Sequence, residues 1–118
     1  MAKTQTDLSN QLIKDYSFLK DMYEDEYFPN KLVDKGKAVL IDLCFQIEET
    51  HPKDLDDLYQ LTHSATEKFN DLQEEFEEND SEIETVARDC IGVDFEYIAT
   101  SYGFEDVDVE ELIATRDW

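Results

Sequence analysis

Basic residues are scarce in this chain: ten Lys and Arg stand against 31 Asp and Glu, a formal net charge of −21 over 118 residues. A surface of that sign repels nucleic acid and anionic membrane and attracts cationic partners. Glycine occurs three times and proline twice, and no Gly-rich elbow or phosphate loop is present, so the usual marks of nucleophile-elbow and nucleotide-binding enzymes are missing. No apolar run approaches the roughly 18 residues that span a bilayer. The opening stretch Met1-Ala2-Lys3-Thr4-Gln5-Thr6-Asp7 lacks the apolar core of an export signal. A cytoplasmic location is therefore expected, with Cys44 and Cys90 as reduced thiols on apolar helix faces rather than a disulfide.

What is present is enough to fold. Hydrophobic residues make up 41% of the chain and aromatics 12%, and a single domain of this length buries roughly two-thirds of the surface its unfolded form exposes. Residues 1–8 read as a flexible tail and 9–118 as one acidic helical domain. The charge is uneven, −4 over residues 1–50 and −17 over residues 51–118. Such a domain tolerates self-repulsion, so moderate salt should raise its melting temperature; an unchanged or falling value in a thermal melt would mean that the acids are already compensated in pairs.

The apolar period is helical nearly throughout. A first helix is expected over about Ser9–Glu26, with Leu12, Tyr16, Leu19 and Tyr23 as its stripe and Ile13 and Met22 beside it. Pro29 breaks the chain, and Asn30 is placed to cap a second helix over about Lys31–Glu49. Gly36 within it marks either a close helix crossing or an irregular early turn. The third helix is the clearest: Leu55, Leu58, Thr62, Ala65, Phe69, Leu72 and Phe76 repeat at alternating spacings of three and four, with Asp54 as N-cap. Thr62 and Ala65 are weak for a free coiled coil, so packing inside a bundle is expected. Ser81 with Glu84 reads as a capping box opening a fourth helix. Ala87, Ile91, Phe95, Ile98 and Tyr102 form one stripe of that helix and Ile83, Val86 and Cys90 another, which predicts the most enclosed element of the fold. Gly103 is its left-handed stop. Asp108 with Glu111 starts a short last helix. The expected fold is an all-α single-domain bundle of four main helices plus a short C-terminal one.

Tests for chemistry return no catalytic residue, metal site or cofactor. Glu48-x-x-His51 has the spacing of half a di-iron site, but the only other histidine, His63, has Gln60 where the second half needs Glu. Asp106-x-Asp108-x-Glu110 resembles the start of a calcium loop, yet Glu111 stands where that loop needs Gly. His63 is expected to pair with Glu67 one turn on, and Cys90 to lie in the core.

Two surface candidates remain. The first is an acidic ridge of Glu74, Glu75, Glu77, Glu78, Asp80, Glu82 and Glu84 with no base among them. At a helical rise of ~1.5 Å per residue this is one charge per about 2.4 Å, comparable with duplex DNA at roughly one per 1.7 Å of axis. It is either a partner-binding ridge or a solvated helix face. The second is the stretch Tyr16–Phe28, where Tyr16, Phe18, Tyr23, Tyr27 and Phe28 interleave with Asp21, Glu24, Asp25 and Glu26. Tyr23, Glu24, Asp25, Glu26 and Tyr27 are its contact candidates, suited to a basic partner unless its rings are core.

The stretches Phe18-Leu19-Lys20-Asp21-Met22-Tyr23-Glu24-Asp25, Tyr27-Phe28-Pro29-Asn30-Lys31-Leu32-Val33-Asp34-Lys35-Gly36-Lys37, Phe69-Asn70-Asp71-Leu72-Gln73-Glu74-Glu75-Phe76 and Ile113-Ala114-Thr115-Arg116-Asp117-Trp118 carry a resemblance. In them the chain resembles a family of small, acidic, uncharacterised bacterial proteins catalogued as a domain of unknown function. The resemblance implies a free-standing bacterial cytosolic protein and carries no activity or site residue with it. From the residues themselves, the expected function is a monomeric, non-enzymatic acidic module that docks on a basic protein. Its sharpest form is an inhibitor or immunity-type protein covering the cationic site of a nuclease. The alternatives are a small metal-dependent or acid–base enzyme built from bundle carboxylates, and a structural acidic protein with no dedicated partner.

Overall fold

The computed structural model describes residues 4–118. Among them the regular backbone is helical, with no strand: α1 (Gln11–Lys14), α2 (Lys20–Glu24), α3 (Asn30–Thr50), α4 (Leu55–Glu78), α5 (Thr85–Ser101) and α6 (Val109–Leu112), preceded by a 3-10 turn at Gln5–Asp7. The class is all-α, as expected. Three long helices and three short ones take the place of four long and one short.

Helices α3 and α4 form the central hairpin. His51 in a left-handed conformation (φ 52°) ends α3. Asp54 accepts from the Asp57 amide at 2.9 Å and so caps α4 as expected. The α4 seam is buried from Leu58 through Thr62, Ala65, Phe69 and Leu72 to Phe76. Gly36 is a close crossing: a Cβ there would lie 3.0 Å from both Leu19 Cδ1 and Phe69 Cε1. Gly36→Val should therefore lower unfolding free energy by roughly 1–3 kcal/mol in denaturant titrations, despite valine's better helix propensity.

The expected first helix is broken in two. Leu12 is 58% exposed, while Ile13, Phe18, Leu19 and Met22 are buried, so the buried set does not follow one helical stripe. Distant side chains sustain the break. Gln5 Nε2 donates to the carbonyls of Ile13 and Tyr16, both at 2.7 Å, removing them from any continuing helix. Leu19 is left-handed (φ 56°), and its amide donates to Asp94 Oδ2 of α5 at 2.6 Å.

Other local expectations shift for equally specific reasons. Pro29, not Asn30, holds the N-cap position of α3, and its carbonyl accepts from the amides of Leu32 and Val33. Ser81 does not open α5, which begins at Thr85 behind Glu84 without a side-chain cap. The stop of α4 claims Ser81 instead: Asp80 turns left-handed (φ 60°), its amide bonds Glu77 O at 3.2 Å, and the Ser81 amide bonds Phe76 O at 2.8 Å. The same motif ends α5 as expected, with Gly103 at φ 94° and the Phe104 amide on Ala99 O at 2.9 Å. Asp108 Oδ1 caps α6 through the Glu110 amide at 3.0 Å. Helix α6 crosses α5 at Gly92, where a Cβ would meet Val109 Cγ1 at 3.2 Å.

Of the segment read as a tail, residues 1–3 lie outside the described residues. Thr4–Leu8 is docked rather than free: Leu8 is 1% exposed and belongs to the core. The next residues are clamped by Glu48 of α3. Its carboxylate accepts from the Ser9 amide (3.0 Å), the Ser9 hydroxyl (2.8 Å), the Asn10 amide (3.2 Å) and the Tyr102 hydroxyl. Among the described residues no helix is long and apolar enough to cross a membrane.

Candidate docking surfaces

The residues tested for chemistry are occupied structurally. Glu48, the di-iron candidate, is the clamp just described. Burial pushes its carboxyl up, but the bonds from Tyr102, Ser9 and Asn10 to the charged form outweigh this and hold it below the ordinary value. His51 is exposed at the end of α3. His63 does not turn to Glu67; its Nε2 donates to the Glu111 carbonyl at 2.7 Å, and its ring stacks on Tyr59. Among the described residues no three His, Cys, Asp or Glu side chains gather as a metal site.

Burial, aided by the Glu48 charge, pushes the Cys44 thiol up to about 12. Cys90 is only half-buried rather than core; burial and the nearby Asp94 charge push it up to about 11. Neither is a ready nucleophile at neutral pH. Native alkylation should run about two orders of magnitude slower at Cys90 than at a free thiol, and slower still at Cys44, with both fast after denaturation. Fast native labelling of either, read by mass spectrometry, would contradict this.

The acidic ridge divides at the end of α4. Glu74, Glu77 and Glu78 are exposed on its last turns, and Glu75 pairs with Lys35 of α3. Asp80 occupies the left-handed turn, and Glu82 and Glu84 lie exposed in the connection to α5. Tyr27 joins this group: it is 41% exposed, and partial desolvation together with the charges of Glu82 and Glu84 raises its phenol above the ordinary value. Beneath it Phe28 is buried, edge-on to Phe76 with centroids 6.2 Å apart. The two sequence candidates therefore meet through Tyr27. Tyr23 does not share in this, since its hydroxyl donates to Asp34 of α3. Glu24, Asp25 and Glu26 are exposed, with Asp25 Oδ1 accepting from the Tyr27 amide at 2.9 Å.

A second face takes Tyr16 and Asp21 from the Tyr16–Phe28 candidate and adds a wall on α5 that sequence reasoning missed. An open groove of about 830 Å³ runs between one flank of α5 and the 11–21 segment. Its apolar wall is Leu12, Val86 and Val93, which are 58%, 50% and 57% exposed. Tyr16 and Tyr97 stack on each other at 4.0 Å and join its two walls there. Asp94, 3% exposed, lies at its base with Oδ1 accepting from the Tyr16 hydroxyl at 2.7 Å. Burial raises the Asp94 carboxyl above its ordinary value, although the bonds from Tyr16 and Leu19 oppose the shift. The signal was present in the second apolar stripe of α5. That stripe predicts enclosure, whereas Val86 on it faces open space.

An all-helical protein with a continuous core, an acidic face carrying an exposed tyrosine, and an uncovered helix flank is the class these features define. The chain belongs to the family of unknown function DUF5713, whose model matches residues 12–118. No curated protein and no solved structure matches it.

Proposed function

We propose that this chain is a non-enzymatic binding module that docks on a basic protein surface, in its sharpest form an inhibitor or immunity-type protein covering a cationic site such as that of a nuclease. The observation that carries this reading is the placement of exposed Tyr27 beside Glu82 and Glu84 at the end of the ridge. Tyr27 also packs edge-on to Phe28 at 5.1 Å, and an aromatic anchor ringed by charge is the composition of an interface hot spot. Complementary charge would speed association and make it salt-sensitive.

The test is affinity capture from the source cell at low and at moderate salt, with the wild-type chain beside a Glu82→Gln/Glu84→Gln variant and Tyr27→Ala. A basic protein retained by the wild type, lost with salt and weakened in both variants supports the reading. Equal capture by all three chains makes the ridge a solvated face.

A further inference from the structure

We infer that the groove between α5 and the 11–21 segment is a docking site for a basic amphipathic helix of a partner protein. The inference rests on the reading of the chain as a module for basic partners, and adds the form the partner takes.

The wall of α5 dictates that form. Val86, Cys90, Val93 and Tyr97 follow one another at spacings of four, three and four, the seam along which a second helix packs. The opposite stripe of α5, from Ala87 through Ile91 and Phe95 to Ile98, is buried in the core. Only part of this seam is open: Val86 and Val93 are 50% and 57% exposed, whereas Cys90 and Tyr97 are half-buried against the chain's own 11–24 segment, Tyr97 stacking on Tyr16 and donating to the Leu12 carbonyl at 3.0 Å. Where the apolar pattern calls for one continuous helix, the chain instead turns at 15–19 and contributes Leu12 and Tyr16 as a second wall. From Val86 to Val93 the open part of the seam is about 10 Å long at ~1.5 Å per residue, two turns of helix, with Leu12 on the other wall, an elongated contact that suits a helix rather than a compact small molecule.

The rim dictates the charge. Asp15, Asp21 and Asp89 stand exposed on the groove edges, with Lys20 the single base among its lining residues. An acidic partner, including a second copy of this chain at −21, would bring like charges face to face. A helix with apolar residues on its seam and Lys or Arg on both flanks satisfies wall and rim together.

The probe is a synthetic helix of about four turns carrying leucines at seam spacing and lysines on both flanks, compared with a scrambled peptide of identical composition. Fluorescence anisotropy at moderate salt should show the ordered peptide binding roughly tenfold more tightly than the scrambled one, with NMR shifts at Leu12, Val86 and Val93. Val93→Glu should weaken binding by about tenfold even though it adds attractive charge. Its side chain is exposed, so folding is spared, and circular dichroism checks that. Glu82→Gln/Glu84→Gln should leave the preference for the ordered peptide intact. Equal binding of both peptides, tighter binding by Val93→Glu, or shifts confined to the ridge would overturn the inference. So would self-association of the chain that Val93→Glu abolishes. A chain that captures a basic protein through the ridge yet ignores the peptide sinks the groove alone.

Discussion

Asp94→Ala should lower the unfolding free energy by about 2–4 kcal/mol, while Asp94→Asn loses less than half of that. Asp94 is 3% exposed and holds together two elements far apart in sequence. Its oxygens accept from the Tyr16 hydroxyl at 2.7 Å and the Leu19 amide at 2.6 Å. Alanine leaves the Leu19 amide buried without an acceptor and the half-buried Tyr16 hydroxyl without its partner; an orphaned buried group costs about 1–3 kcal/mol, partly offset because a buried charge is removed. Asparagine keeps an oxygen for Leu19, and the Tyr16 hydroxyl can rotate to accept from its amide.

The wild type separates from both variants by pH, because neither variant carries a titratable group at position 94. Burial raises the folded-state pKa of Asp94 above its unfolded value, so its contribution is fully present below the unfolded pKa and is lost as pH rises through the folded one. Wild type minus Asp94→Asn stability should therefore fall with rising pH from about pH 4 upward. Glu48, whose pKa is lowered, has the opposite sign: its contribution disappears as pH falls through the folded value. A wild type that gains on Asp94→Asn with rising pH would show Asp94 to be a net-stabilised anion. Urea unfolding across pH, followed by far-UV circular dichroism, reads both.

Phe69→Ala should be the most damaging core truncation, at about 3–5 kcal/mol. Phe69 is 1% exposed in the middle of the α4 seam. Its ring lies edge-on to Phe95 of α5 at 6.1 Å and to Trp118 at 6.2 Å, and borders Gly36 of α3. Removing it opens a cavity where three helices and the C-terminal segment meet. How far the surrounding helices relax into that space sets where in this range the loss falls. Trp118 is the sole tryptophan, so its emission should redden in the folded variant as its covering ring disappears. Phe69→Leu, which keeps most of the volume, should cost far less. An alanine variant with near-wild-type stability would mean that the α3–α4–α5 junction is loosely packed.

How much of this was legible beforehand divides by the range of the interaction. The α4 seam, the Asp54 and Asp108 caps and the Gly103 stop were all readable, because each is decided by residues within a few positions of one another. Ser81 failed because two local motifs competed for it, and the stop of α4 overrode the capping box. The break at 15–19 failed for a different reason: its acceptor is Asp94, 75 residues away from Leu19. The second bond donor in that region, Gln5, lies in the segment read as a tail. The ridge could be read as charge, but its union with Tyr27 and its pairing with Lys35 could not.

The sequence alone determined the all-α class, the sign of the surface and the α4 seam, since helical periodicity and net charge are properties of the chain before it folds. Tertiary structure alone decided which apolar flank would stay open. The stripes of α5 look equally buriable in sequence, and exposure depends on which neighbours arrive to cover them. Asp94 holds the 16–19 segment on α5 as a turn rather than a helix, Val86 and Val93 are left facing solvent, and the groove takes its form because those long-range hydrogen bonds outweigh local helix propensity.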